Sequence, residues 1–196
     1  MKKNKKMDIV FLLDRSGSMG GSETDTIGGF NSFIDNNRKN KYETNVTTIL
    51  FDDKYEVLYE RIPINKVDKL THNQYYVRGC TALLDAIGKT INSMNNKTSN
   101  KVLFIITTDG LENASKEYNK EDIKKLIKKH NHWEFLYIGA DINSYEEGNK
   151  IGIKKENIAN YKKDKIWITK LYNSLNKASS CYMEDCLSSS WKDELN

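Results

Sequence analysis

Apolar residues in this chain fall into two kinds of run: short continuous blocks, and longer stretches with a helical period. The blocks at residues 8–14 (DIVFLLD), 101–110 (KVLFIITTDG) and 133–140 (WEFLYIGA) have the length and the β-branched, aromatic content of buried strands. Residues 45–51 (NVTTILF) and 55–62 (YEVLYERI) read as two more strands, separated only by Asp52, Asp53 and Lys54. A gap that short joins antiparallel neighbours, because a parallel crossover takes about a dozen residues or more. Elsewhere the period lengthens. In residues 24–39, Ile27, Phe30, Phe33 and Ile34 share one helical face; in 81–94, Leu84, Ile87, Ile91 and Met94 do; in 164–179, Ile168, Leu171, Tyr172 and Leu175 do. Residues 119–130 (NKEDIKKLIKKH) predict a helix whose lysines are solvated, and a short helix near 144–151 precedes a short strand near 157–161.

The order is strand, helix, hairpin, helix, strand, helix, strand, helix. It predicts a Rossmann-like, doubly wound α/β fold. The central sheet is expected to be mostly parallel, with one antiparallel edge hairpin and helices on both faces. The block at 101–110 is the most apolar and is expected at the centre. A single domain over residues 1–179 accounts for these elements, with a basic arm at 1–6. The tail at 180–196 has no clear period and is expected to be only weakly ordered.

Composition narrows the function classes. A chain of 196 residues, 38% apolar and 30% charged, can build one ordinary core. The net charge of +4 is too small to argue for nucleic acid or a membrane surface as partner. No apolar run approaches the roughly 18–20 residues of a membrane span. The start, MKKNKKMDIVFLLDRS, imitates a secretory leader, but its apolar core IVFLL falls short of the roughly 7–15 residues such leaders use, and no small-residue cleavage site follows. Three cysteines without a dense spacing suit a reducing compartment, so a cytoplasmic location is expected. Cys181 and Cys186 lie close together, yet no further Cys or His cluster accompanies them to make a zinc site.

The candidate chemistry lies where strands end. The first block terminates in Asp14 and runs into RSGSMGGS; the central block terminates in Asp109. Open α/β sheets bind ligands beyond the carboxyl ends of their strands. Two carboxylates brought together there need solvent, a donor or a cation between them. Ser16 and Ser18 alternate after Asp14, and Gly17, Gly20 and Gly21 let the loop bend tightly. Carboxylate and hydroxyl oxygens without imidazole or thiolate suit a hard cation such as Mg²⁺. The competing reading is an α/β hydrolase using Ser18, since SGSMG nearly matches the G-x-S-x-G elbow. That reading needs a base beside Ser18, and His130 and His132 are expected at the opposite end of the next strand. A D-x-D phosphatase fails at Ser16, and no G-x-x-x-x-G-K-[ST] phosphate loop is present.

The D-x-S-x-S formed by Asp14, Ser16 and Ser18 resembles the motif of the von Willebrand factor type A family. Thr81 in RGCTALLDA and Asp109 in TTDGLENAS fill that family's two distant positions. The resemblance covers about residues 7–178, and is nearest to small stand-alone bacterial and phage members. It implies a metal-ion-dependent adhesion site. Ser16, Ser18 and Thr81 would ligate directly or nearly so, and Asp14 and Asp109 directly or through water. The ion would be Mg²⁺, with Mn²⁺ or Ca²⁺ as alternatives. The implied function is non-enzymatic: protein binding, in which an Asp or Glu of an unidentified partner completes the coordination. Some family members act with AAA-type ATPases or stress-response complexes. Arg15, Met19, Tyr76, Arg78, Leu111, Glu112 and Asn113 neighbour the site loops and are expected on its rim. Cys80 is expected to pack against the loop before Thr81, and Asp85 to favour the dipole of its helix.

Overall fold

The first apolar block forms β1 (Lys6–Asp14), buried on both faces from Met7 onward. Alternation sorts its side chains: Met7, Ile9, Phe11 and Leu13 enter one core, while Val10 and Leu12 enter the other. The hairpin forms β2 (Glu43–Phe51) and β3 (Tyr55–Pro63); the later blocks form β4 (Lys101–Thr108), β5 (Glu134–Ala140) and β6 (Ile158–Tyr161). These coordinates are a computed structural model, which describes residues 5–140 and 142–195. The expected basic arm at 1–6 thus lies largely outside the described residues, and Lys6 already belongs to β1.

Among the described residues these six strands make one sheet in the order β3-β2-β1-β4-β5-β6. Every neighbouring pair is parallel except β2 and β3. The α/β expectation therefore holds: a mostly parallel sheet with one antiparallel edge hairpin. The centre is shared by β1 and β4, both continuous apolar runs.

Among the described residues five helices cover the two faces: α1 (Glu23–Asn37), α2 (Leu83–Met94), α3 (Lys120–Lys129), α4 (Ser144–Lys150) and α5 (Lys165–Met183). Phe30 and Phe33 of α1 pack edge-on against Phe11, with Leu171 and Leu175 of α5 in the same core. Ile87 and Ile91 of α2, with Ile123 and Ile127 of α3, fill the opposite one. Local chemistry sets the helix starts. Asn119 and Asp122 form a reciprocal capping box on α3, and Asp164 accepts the Trp167 N–H at the start of α5.

The tail departs from expectation. The apolar stripe of α5 continues through Ala178, Tyr182 and Met183, so the helix outruns residue 179. A 3₁₀ segment, Ser189–Leu195, then folds back and buries Trp191 and Leu195 in the core of α1 and α5. One indole supplies enough apolar area to hold a segment that has no helical period of its own. The described helices include none long and apolar enough to cross a membrane.

Candidate metal centre

The parallel register places the two terminal carboxylates together. Leu13 of β1 lies opposite Thr107 of β4, so Asp14 and the Thr108–Asp109 pair leave the sheet side by side. This is where the chain passes from the β1–β2 half of the sheet to the β4–β5–β6 half, the crevice at which open α/β folds bind ligands.

The Asp14 side chain is fully buried. Its Oδ1 accepts the Ser16 N–H at 2.7 Å and its Oδ2 accepts the Thr108 hydroxyl at 2.5 Å. The Tyr75 hydroxyl donates to the Asp14 carbonyl at 2.5 Å. Burial pushes the Asp14 carboxyl up to about 6; the Thr108 and Ser16 hydrogen bonds oppose this and the Asp109 charge adds to it. From the first loop, Ser16 Oγ and Ser18 Oγ lie 3.1 Å apart, and Ser18 Oγ donates to Asp109 Oδ1 at 2.6 Å. From the second, Thr81 arrives buried. A methyl group placed on Gly110 would stand 2.6 Å from Thr81 Oγ1 and 3.1 Å from Ser18 Oγ, so both hydroxyls converge over a residue that must lack a side chain. Asp14, Ser16, Ser18, Thr81 and Asp109 thus lie close together at the carboxyl edge of the sheet.

Backbone contacts tie the three loops together. Gly17 N–H donates to the Gly79 carbonyl at 3.1 Å, and Arg78 N–H to the Arg15 carbonyl at 2.8 Å. Thr81 stands in the loop just before α2, which begins two residues later. Its N–H donates to Asn113 Oδ1 and its carbonyl accepts from the Asn113 and Ala114 N–H groups, so its backbone is used to pin the 111–115 loop. Asp85 does more than favour a dipole. It accepts the N–H groups of Lys116, Glu117 and Tyr118 at 2.9 Å each. Burial works against its ionisation, but those three donors prevail and hold the carboxyl below its usual range.

The expected rim divides. Tyr76 and Leu111 are exposed (45% and 57%), and so is Asn113. Arg15 and Met19 are not rim residues: both are buried. Arg15 turns inward because two carboxylates wait there, Asp52 at 2.8 Å and Glu56 at 2.7 Å. Met19 turns inward as the apolar anchor of a 3₁₀ turn, Gly17–Met19. Arg78 is partly exposed and pairs with Asp52 at 2.7 Å. Glu112 accepts the Leu84 N–H at 2.9 Å and the Ser115 hydroxyl at 2.7 Å, capping α2 from another loop. Cys80 is exposed rather than packed, and no disulfide joins Cys181 to Cys186.

Sequence reasoning missed Thr108, Tyr75, Asp52 and Lys163. Thr108 was legible in principle, since the residue before Asp109 must flank Asp14 in a parallel pair. Lys163 carries no local pattern; it reaches the site from beyond β6, its Nζ 3.0 Å from the Ser18 carbonyl and ion-paired to Asp109 Oδ2. Among the described residues no group of three or more His, Cys, Asp or Glu is placed to hold a metal ion. The donors here are two carboxylates and three hydroxyls, a set that fits a hard divalent ion. The lysine ammonium at Asp109 shows the same pocket attracting positive charge. The hydrolase alternative looks to a histidine base, but the Ser18 hydroxyl donates to Asp109, whose carboxylate is ion-paired to Lys163. The His130 ring is engaged by the Leu126 carbonyl and Asn95 at the amino end of β5.

A pH effect follows from Asp14. The fold favours its protonated form, so this carboxyl stabilises the metal-free protein below about pH 4 and that contribution is lost as pH rises through about 6. The swing is roughly 3 kcal/mol. In chelator, Asp14→Asn should gain stability relative to wild type between pH 4 and 7, as read by urea titration at each pH. A constant difference would show that Asp14 is not buried as an acid.

The arrangement defines a class: an open α/β domain with a hydroxyl-rich, acidic crevice at the carboxyl edge of its sheet. The sequence comparison is specific. Residues 8–173 match the family model described as von Willebrand factor type A domain, and the chain belongs to that family. Domains of this family are commonly metal-dependent protein-interaction modules. No curated protein matches the chain by sequence. Among solved structures, proximal thread matrix protein 1 from the mussel byssus, with a zinc-occupied metal-ion-dependent adhesion site, shares 16% identity at a TM-score of 0.66 over 94% of this chain and 47% of its own. A von Willebrand factor type A protein from Catenulispora acidiphila shares 13% identity at 0.67 over 90% and 43%. The ArnB paralog VWA2 from Sulfolobus acidocaldarius shares 18% at 0.60 over 89% and 45%. The chain spans less than half the length of each of these structures.

Proposed function

We propose that this chain is a divalent-cation-dependent protein-binding module whose ion is held by Asp14, Ser16, Ser18, Thr81 and Asp109. The convergence of these side chains from three loops onto one acidic pocket carries the reading. Its physical logic is charge balance. Asp14 is costly as a buried anion, and Asp109 is buried beside it. A bound Mg²⁺, Mn²⁺ or Ca²⁺ would relieve both and offer an electrophilic centre to an outside carboxylate. Three neutral hydroxyls leave much of that charge unquenched, which favours an Asp or Glu of the partner over a neutral group. Tyr76, Leu111 and Asn113 supply the exposed surface around it. The zinc-occupied site of the mussel protein supports a divalent ion in this fold.

Only the folded state would bind, so the ion must stabilise it. For a Kd on the order of 0.1 mM, 1 mM Mg²⁺ adds about 1.4 kcal/mol. The melting temperature of the full chain should rise by roughly 2–5 °C. Asp109→Ala should abolish the rise. An unchanged melting temperature in the wild type with excess Mg²⁺, Mn²⁺ or Ca²⁺ would remove the proposal.

A further inference from the structure

The ammonium of Lys163 occupies the mouth of the proposed metal pocket. It sits 3.0 Å from the Ser18 carbonyl and pairs with Asp109, whose side chain is fully buried while that of Lys163 is 24% exposed. The lysine is delivered by structure, not by local sequence. β6 is added at the sheet edge beside β5, the chain bends at Lys163 and Asp164, and Asp164 caps α5. Lys163 is fixed between a strand end and a helix start, and its long stem spans the remaining gap to the site.

We infer that Lys163 is a tethered counter-ion that competes with the divalent ion for Asp109, and so sets the affinity of the site. The inference rests on the metal-binding reading above. A buried carboxylate needs a cation. The ammonium meets that need at the cost of ordering one long side chain, and it brings a single charge. A divalent ion brings two, and to reach Asp109 it must move the ammonium aside. The protein therefore has two ways to neutralise the same carboxylate, one intramolecular and one drawn from solution. Their balance, rather than the oxygen donors alone, decides at what ion concentration the site fills.

The test is Mn²⁺ binding to the full chain, read from the EPR signal of the free ion. Lys163→Met should bind about tenfold more tightly than wild type, because nothing has to be displaced. Lys163→Gln should do the same, and Lys163→Arg, which keeps the charge, should stay within about twofold of wild type. Lys162→Met controls for the loss of one surface charge, since its ammonium lies over the Trp167 ring. Melting supplies a second readout with a change of sign. In chelator, Lys163→Met should melt below wild type because Asp109 loses its counter-ion and keeps the Ser18 hydroxyl; in saturating Mn²⁺ it should melt at or above wild type. Wild-type binding that Lys163→Met fails to tighten beyond the Lys162→Met control overturns the inference and leaves the metal site standing. No binding in any variant removes both.

Discussion

Replacing Asp52 with alanine is expected to destabilise the domain by about 3–5 kcal/mol, the cost of breaking a buried ion pair from one side. Asp52 and Arg15 both have fully buried side chains, joined at 2.8 Å. Without Asp52, the Arg15 guanidinium stays buried with the half-exposed Glu56 as its carboxylate partner. Arg15→Met should cost less, because Asp52 keeps the Arg78 guanidinium at 2.7 Å and the Lys54 N–H at 2.7 Å. Removing both partners, Arg15→Met with Asp52→Ala, should cost less than the sum of the two single changes. Urea titration of the four proteins gives the coupling. An Asp52→Ala loss below about 1 kcal/mol would mean that the pair is hydrated in solution.

The pair matters to the site because of where it stands. Arg15 lies between Asp14 and Ser16, and Asp52 follows β2 directly. The Asp52 carbonyl accepts the Ala82 N–H at 2.9 Å, next to Thr81. Arg15, Asp52 and Arg78 therefore lock the first and second loops to the end of β2. Burial opposes ionisation of Asp52, but hydrogen bonds from Arg78, Lys54 and Arg15 hold its carboxyl below the usual range. Its contribution is present above about pH 4 and is lost as pH falls below that, opposite in sign to that of Asp14.

Trp191→Ala is expected to cost about 3–5 kcal/mol, the range for truncating a large buried aromatic. Trp191 is 1% exposed, shares the core of α1 and α5, and donates its indole N–H to the Glu156 carbonyl at 3.0 Å. Its neighbour Lys192 donates to the Lys155 carbonyl at 2.9 Å and to that of Ile158. The 3₁₀ segment thus secures the start of β6, the strand that leads to Lys163. Trp191→Phe should recover most of the loss, leaving about 1 kcal/mol for the missing hydrogen bond. Equal melting of Trp191→Ala and wild type would show that the segment does not pack in solution.

The sheet was legible because its signals are local. Continuous apolar blocks of strand length, rich in β-branched and aromatic residues, match strands buried on both faces, and the three-residue gap after Phe51 permits only a hairpin between two of them. Ile168, Leu171 and Leu175 likewise announce their helix face without help from elsewhere. Arg15, expected on the rim, is buried for a reason that is not local. A charged residue in a loop is expected in water, and only Asp52 and Glu56, brought alongside by β2 and β3, make burial the better outcome. Trp191 carries no such signal in the sequence, because one aromatic has no period. Its burial depends on a groove formed by α5 and β6.

By itself the sequence determined the α/β alternation, the antiparallel edge, and most of the residue types that carry the chemistry: two strand-terminal carboxylates and the two serine hydroxyls that follow the first, whereas Thr81 was pointed to only by the family resemblance. All but Thr81 follow from short-range period and spacing, which the chain states directly. Tertiary structure alone decided which charges neutralise those carboxylates. Lys163 reaches Asp109 across 54 positions of the chain, and Thr108 reaches Asp14 across 94. Coulomb and hydrogen-bond energies depend on distance in space, and only the register of the parallel sheet converts one kind of separation into the other.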